Sequence, residues 1–371
     1  MKDQTNKQKV LVAMSGGVDS SVAALLLKKQ GYEVIGAFMK NYTNENTDIE
    51  NCNWVKDRKE AMKIATKLGI PLITFDFEKE YRKLVVDEMF KLYKKGITPN
   101  PDVDCNNKIK FPLLKKAAKK LNADFIATGH YSKIKKIEDK YELLRGKDES
   151  KDQSYFLYRL NQEDLKNTLF PVGELTKKDV RKIAKKNKFQ NFNRKGTVGI
   201  CFIGKVNLKD FLQKKIKPKK GKILSPEGDL IGNHDGIYYY TIGQRIGPRF
   251  GIKVEKNPEN GKMKRWYVAK KDLKKNIIIA APEGHSLLYK KEIILTDPHW
   301  INETPRNSMK LHARIRQVGE LLPCKLEKKS RKWKVTLNKA IKGVSQGQAC
   351  VLYERKGKKC LGGGVIDFNK S

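Results

Sequence analysis

The chain has 371 residues, room for two or three domains, with 79 Lys and Arg against 41 Asp and Glu and a formal net charge of +38. No apolar run approaches the roughly 20 residues of a membrane span, residues 1–9 are polar with no signal-peptide core, and six scattered cysteines without a C-x-x-C pair exclude a disulfide scaffold and a structural zinc site. A cytoplasmic protein with no resident metal is expected, and the charge asks for a polyanionic partner such as nucleic acid.

Val10 to Ala13 reads as a buried strand closed by Met14. Ser15-Gly16-Gly17-Val18-Asp19-Ser20 follows as a turn, and Ser20 to Gln30 has helix periodicity. Two glycines let backbone N–H groups converge where the helix presents its positive end, and serine hydroxyls add donors, so the turn suits a phosphate or pyrophosphate. It is not a Walker A loop, because G-x-x-x-x-G-K-[ST] is absent. A lysine-free cradle fits pyrophosphate as a leaving group better than transfer of a γ-phosphoryl.

Glu33 to Met39 and Pro71 to Phe75 read as strands, Trp54 to Leu68 and Tyr81 to Tyr93 as helices. The alternation predicts a parallel α/β sheet with ligands outside its carboxyl ends, where Met39 sits either against an adenine face or in the core. Gly96 to Asn106 breaks the periodicity. Pro99 and Pro101 predict a stiff loop rather than a helix, carrying Asp102 as a candidate acid/base and Cys105 as a candidate nucleophile, or else an ordinary turn ending in a helix N-cap. Asp124 to Tyr131 is a strand ending in Gly129-His130, with the glycine permitting close approach of a ligand. Lys133 to Ile137 and Tyr141 to Arg145 form a hairpin, and Lys151-Asp152-Gln153 opens a helical stretch.

Lys177 to Asn187 is a basic helix. Gly196 to Gly204 is an apolar segment between glycines whose one thiol, Cys201, is either a shuttling group or a buried small hydrophobe. A lysine cluster (Lys214, Lys215, Lys217, Lys219, Lys220, Lys222) starts a second module. Ser225 to Gly228, Asn233 to Gly236 and Asn257 to Gly261 are turns, and Ile237 to Ile242 is strand-prone. From Asn276 onward, short strands beginning at Ile277 predict a small barrel. The expected modules are 1–205, 206–275 and 276–371.

Ser15 to Ser20 resembles the PP-loop of the ATP pyrophosphatases. Taken in order with Asn100-Pro101-Asp102, Cys105-Asn106, Ala127 to His130, Lys151 to Gln153, Gly199 to Gly204, Tyr240 to Arg245 and Leu361 to Gly364, the chain is similar over nearly its whole length to the bacterial-type tRNA-specific 2-thiouridylases. That resemblance implies a PP-loop domain, a small central tRNA-supporting domain and a C-terminal β-barrel. It implies 2-thiolation of the wobble uridine of tRNA, with ATP, and Mg²⁺ on its phosphates, bound by Ala13, Met14, Ser15, Gly16, Gly17, Val18, Asp19, Ser20, Met39 and Gly129. Asn100, Pro101 and Asp102 are then expected at the target base. Cys201 is expected to carry a persulfide from a sulfur-relay donor protein, with Cys105 as its partner. His130, Lys151, Asp152, Gln153, Arg314, Ile315 and Gln348 are expected to meet tRNA. Two departures stand out: Ile315 replaces a frequent aromatic, which removes stacking there, and Gln346 replaces a common proline before Gly347-Gln348, which predicts a looser turn. A PP-loop ligase of small carboxylates would need neither cysteine nor basic domains, and a non-enzymatic RNA-binding protein would not keep Ser15, Gly16, Gly17, Asp19 and Ser20 intact.

Overall fold

The structure, a computed structural model, describes residues 7–43, 52–196, 199–204, 207–248, 252, 265–330 and 332–368. The expected turn at Asn257 to Gly261 and residues Thr197, Val198 and Lys205 lie outside them.

The first module is a five-stranded, wholly parallel sheet. Its strands are β1 (Lys9–Ala13), β2 (Glu33–Lys40), β3 (Leu72–Asp76), β4 (Phe125–Ala127) and β7 (Thr168–Leu169), in the order β3-β2-β1-β4-β7. Apolar runs such as Val10-Leu11-Val12 are fully buried because α1 (Val18–Lys29), α2 (Asn53–Leu68) and α8 (Lys177–Lys186) cover one face, while α6 (Phe111–Lys120) and its neighbours cover the other. The order reverses at β1, so the crevice beyond its carboxyl end, where Ser15 to Ser20 lies, is the ligand position of such sheets.

Between α4 (Asp87–Lys94) and α6, the prolines act differently from expectation. Asn100 caps α5 (Pro101–Asp104) by accepting from the Val103 N–H at 3.3 Å, and Pro101 occupies the first helical position. Its missing N–H is an unused donor there, so proline starts this helix instead of excluding it. The chain then widens into a π-helical turn, Cys105–Lys110, before α6. Such widened turns recur at functional sites.

The second module is a sheet of order β10-β11-β12-β8-β9, built from β8 (Gly221–Leu224), β9 (Leu230–His234), β10 (Arg245–Ile246), β11 (Trp266–Asp272) and β12 (Ile277–Pro282). Two strand-level expectations change here. The run at Ile277, expected to open the barrel, pairs with β8 and β11 and belongs to this sheet. Ile237–Tyr239 is a 3₁₀ turn and not a strand, because Gly236 lets the Tyr239 ring fold back onto the backbone.

The third module is a closed antiparallel barrel: β13 (Tyr289–Trp300), β16 (Lys332–Lys342), β15 (Leu322–Lys329), β14 (Met309–Arg314), β17 (Ala349–Tyr353) and β18 (Lys359–Asp367), with β13 and β18 completing the ring. The hairpin β5 (Ser132–Ile137) and β6 (Lys140–Arg145), which issues from the first module, extends this sheet by pairing Lys359 with Leu144 and Cys360 with Leu143. Cys324 and Cys350 fill the barrel core, and Cys360 is buried beside it.

A buried ion pair rivets the first module to the barrel. Asp152, 1% exposed, accepts from Arg314 Nη1 at 2.7 Å, from Arg145 Nε at 3.4 Å, and from the Gly146 and Ser154 N–H groups. Arg314 is itself 3% exposed and lies over Tyr353. Removing one partner strands a buried charge. Asp152→Ala is therefore expected to destabilise the protein by about 3–5 kcal/mol, read as a lower urea midpoint; a midpoint equal to that of the unmodified chain would show that the joint contributes nothing.

Candidate active site

Gly17 begins α1 in an extended conformation, with no side chain capping the helix. The first-turn N–H groups have no partner within the helix and face the crevice. Gly16 adopts φ +74°, and a Cβ there would stand 2.4 Å from the Asp57 carbonyl oxygen, so α2 presses the turn into shape. Ser20 Oγ donates to the Gly17 carbonyl at 3.1 Å and accepts from the Ser15 N–H at 3.2 Å. The Asn191 amide donates to the Gly16 carbonyl at 2.9 Å, and Arg194 to the same oxygen at 3.2 Å while pairing with Asp57. The cradle is thus preorganised for an anion by backbone dipoles. Asn191 and Arg194 are supports that no local motif announces.

Asp19 does not face this cradle as a free carboxylate. Lys177 holds both its oxygens at 2.6 and 2.7 Å, and the Tyr131 hydroxyl donates to it at 2.7 Å. Its charge is neutralised, and it ties α1 to α8. Gly129 packs against the same helix. A Cβ there would lie 2.6 Å from the Ser20 nitrogen, so the close approach it permits is that of helix α1. Met39 is 5% exposed within the core at the carboxyl end of β2, and Ala13, Met14 and Val18 support the cradle from below.

The second half of the site is sulfur. Cys105 Sγ and Cys201 Sγ are 3.5 Å apart and unbonded, although 96 positions separate them; a disulfide needs about 2.05 Å. Ile200 to Gly204 forms a tight turn with Ile200 and Gly204 bridged, and Phe202 sits at φ +63°. Asp102 fixes that turn by accepting from the Cys201 N–H at 2.9 Å, and the Tyr81 hydroxyl donates to the Cys201 carbonyl. The Phe202 ring meets Tyr81 edge-on at 5.9 Å.

Burial pushes the wholly buried Cys105 thiol well above its ordinary range, aided by the neighbouring sulfur. Cys201 is lowered, first by the hydrogen bond from Cys105 and then by the charge of Lys110, against the opposing effects of burial and Asp102. Cys201 is the more acidic thiol of the pair, and Cys105 donates to it. Asp102 is raised by burial, so it can gain and lose a proton at milder pH than a surface carboxylate.

The remaining expected contacts separate into exposed and buried groups. Lys151 is exposed and Gln153 half-buried, with its amide oxygen accepting from the Tyr131 N–H. Asp152 and Arg314 are consumed by their own pair, and Ile315 is 5% exposed in the barrel core, so these three side chains do not present themselves to RNA in the free protein. Gln348 donates to the Thr98 and Pro99 carbonyls at 3.0 and 2.7 Å, and so braces the segment entering Asn100, Pro101 and Asp102. Gln346 tightens its turn rather than loosening it: its amide donates to Asp367 at 2.7 Å and its carbonyl accepts from the Thr98 N–H. His130 is 7% exposed inside an aromatic box.

Two outcomes follow. Below pH 9, iodoacetamide is expected to label Cys201 well before Cys105, read by peptide mass spectrometry; first labelling at Cys105 would reverse the charge assignment. Gly16→Ala forces a β-carbon into the left-handed region and onto Asp57, so ATP affinity measured by calorimetry is expected to fall about tenfold or more.

Domain-family models match the three modules: a tRNA methyl transferase HUP domain over residues 8–205, a tRNA methyl transferase PRC-barrel domain over 209–282, and an aminomethyltransferase β-barrel domain over 290–366. A protein of Alkaliphilus oremlandii named tRNA-specific 2-thiouridylase MnmA is 43% identical over 363 residues, 97% of each chain. A protein of the same name from Nitrosomonas eutropha is 43% identical over 97% of this chain and 99% of its own.

Proposed function

As a member of the tRNA-specific 2-thiouridylase family, the chain is a tRNA sulfurtransferase that makes thiouridine, and we propose that it 2-thiolates the wobble uridine through an adenylated base and a persulfide on Cys201. One observation carries this reading: the 3.5 Å approach of the two sulfurs beside a proton-active carboxylate, in a module that also holds a lysine-free phosphate cradle.

ATP is the co-substrate. Its phosphates fit the start of α1, which no side chain caps, beside the Ser15 to Ser20 turn. Among the described residues no group of three or more His, Cys, Asp or Glu could hold a metal ion, so Mg²⁺ fits as a counter-ion carried on the phosphates, where it offsets their charge. The C2 oxygen of the uridine attacks the α-phosphorus, the bond to pyrophosphate breaks, and Asp102 takes the proton from N3. C2 then carries AMP as a leaving group.

Cys201, as the thiolate, accepts a sulfur atom from a persulfide donor protein. Cys105, once deprotonated, attacks the Cys201 sulfur of that persulfide. The S–S bond within the persulfide breaks, hydrosulfide leaves with two electrons, and a Cys105–Cys201 disulfide forms. Hydrosulfide adds at C2, AMP departs, and the proton balance closes as the thiocarbonyl forms. Direct attack of the persulfide on C2, with Cys105 resolving the sulfur, ends in the same products. In either route an external thiol must reduce the disulfide before the next turnover. The two sulfurs need to close by about 1.5 Å to bond, a small movement of the Ile200 to Gly204 turn.

The word methyl transferase in the domain names suggests a rival reaction, which nucleoside analysis separates. Incubated with ATP, Mg²⁺, a persulfide donor and tRNA, the protein is expected to produce 2-thiouridine, AMP and pyrophosphate; a methylated nucleoside in its place overturns the reading. Cys105→Ser is expected to accumulate a mass of one added sulfur on Cys201 and form no 2-thiouridine, whereas Cys201→Ser takes up no productive sulfur.

The partner is the anticodon stem-loop, since single-stranded loops let bases be splayed into a pocket. Lys217, Lys219 and Lys220 are exposed at the entrance to the second module. Replacing all three by alanine is expected to flatten the dependence of log affinity on log salt by about 0.7–0.9 for each phosphate that is no longer neutralised. An unchanged slope would remove this patch from the footprint. No helix among the described residues is long and apolar enough to cross a membrane, and a cytoplasmic setting, where tRNA and thiol reductants occur together, suits the reaction.

A further inference from the structure

Lys110 closes the π-helical turn that Cys105 opens, and its surroundings are unusual for a lysine. Its ammonium donates to Asn106 Oδ1 at 3.0 Å and approaches His130 Nε2 at 3.3 Å, both neutral acceptors. Among the described residues no carboxylate stands within ion-pair distance of it. The Asn106 amide is oriented for the task, since its Nδ2 donates to the Asp102 carbonyl at 3.0 Å and leaves its oxygen toward the lysine. The Phe202 ring, one residue beyond Cys201, lies 5.9 Å from the ammonium.

His130 is held by its neighbours as firmly as it holds the lysine. Nδ1 lies 2.7 Å from Thr128 Oγ1, while Phe111 stacks on the ring and Phe170 meets it edge-on, both at 6.0 Å. With Nε2 accepting from Lys110, the tautomer carries its proton on Nδ1 and donates to Thr128. Burial and the charge of Lys110 hold the imidazole well below its usual range, so it stays a neutral acceptor that does not repel the ammonium.

An ammonium has three N–H donors, and two neutral acceptors leave one donor and the whole positive charge unmatched. Placing an unmatched charge in a half-buried site is costly unless an anion arrives to meet it. The anions that form here are sulfur species: the Cys201 thiolate, its persulfide and the departing hydrosulfide. We propose that Lys110 is the cation that stabilises anionic sulfur at the Cys105–Cys201 pair, and that His130 is a positioning residue that holds Lys110 in place. This deepens the thiolation reading and rests on it for the identity of the sulfur species, while Lys110 is placed beside the pair by the turn it shares with Cys105 and by its approach to the Phe202 ring next to Cys201.

The groups facing Cys201 are Cys105, Asp102 and Lys110 from the α5 and π-helical segment, and Tyr81 from α3 (Glu78–Tyr81), with Tyr42 next to Tyr81. Only Lys110 among them is a cation, so its removal has a defined sign. The test is the pH dependence of Cys201 alkylation by iodoacetamide in the full-length reduced protein, with modified peptides quantified by mass spectrometry. Lys110→Met is expected to move the Cys201 midpoint up by about one pH unit and to slow labelling at pH 7 about tenfold, and Lys110→Arg to restore most of the rate. His130→Phe keeps the ring stacking but deletes the acceptor. It is expected to slow Cys201 labelling severalfold, and His130→Gln, which restores an acceptor, to recover part of the rate.

A Cys201 profile in folded Lys110→Met that superimposes on the original overturns the role of Lys110. Should that variant not fold, His130→Phe decides alone. Unchanged Cys201 labelling in folded His130→Phe overturns the positioning role. Alkylation requires neither ATP nor tRNA, so a failure of the thiolation reading would leave this result intact.

Discussion

One hydrogen bond, from the Cys201 N–H to the Asp102 carboxylate, holds the chemistry of this protein in one place. It joins a turn late in the first module to the helical start that carries Cys105, and with the Tyr81 hydroxyl it sets two sulfurs side by side. The geometry is selective. Cys105 is sealed from water and resists ionisation, whereas Cys201 is half-buried and is stabilised as an anion by its neighbour. Two identical side chains thereby become one thiol that ionises more readily than usual and one that resists it. The Ile200 to Gly204 turn holds Phe202 in a backbone region that non-glycine residues seldom occupy. Such strain persists where surroundings over-determine it, and here Tyr81 and Lys110 pack on the ring.

The other modules act on this centre through backbone contacts. Gln348 and Gln346 from the barrel grip Thr98 and Pro99, and the Tyr155 hydroxyl links Asn100 to the Ala349 carbonyl. Gly347 is required there, because a Cβ would stand 2.6 Å from the Thr98 oxygen. Residues whose motifs point to the RNA surface thus serve first to shape the segment before Asp102. A side chain can be indispensable to catalysis through the scaffold it fastens.

Much of this was legible in the sequence, and the reasons are physical. Ser15 to Ser20 follows an unbroken apolar run and precedes a helical period, and local chemistry alone dictates a strand, a turn and a helix. The parallel sheet and closed barrel follow from the same patterning. Other features depend on partners distant in sequence. The pairing of Asp19 with Lys177, and the packing of Gly129 against Ser20, have no sign in the local sequence. Pro101 misleads because a residue that breaks a helix interior also favours its first position. Ile277 was ambiguous because a short β-prone run carries no mark of which sheet it joins. Lys110 is invisible in the sequence: a lysine in a lysine-rich chain gives no signal until the fold shows it among the described residues with only neutral acceptors, Asn106 and His130.

The β5–β6 hairpin has a consequence for how the chain can be divided. It leaves the first module and completes an edge of the barrel sheet, with Leu143 and Leu144 bonded to Cys360 and Lys359. Cutting the chain after the first module would bare the flank of β18 on one fragment and an unsupported two-stranded ribbon on the other. Exposed edges of that kind recruit foreign strands, and an isolated hairpin is marginal in water. The modules are separable in sequence but share a seam of backbone hydrogen bonds, so a lineage that exchanged one would have to exchange its neighbour with it.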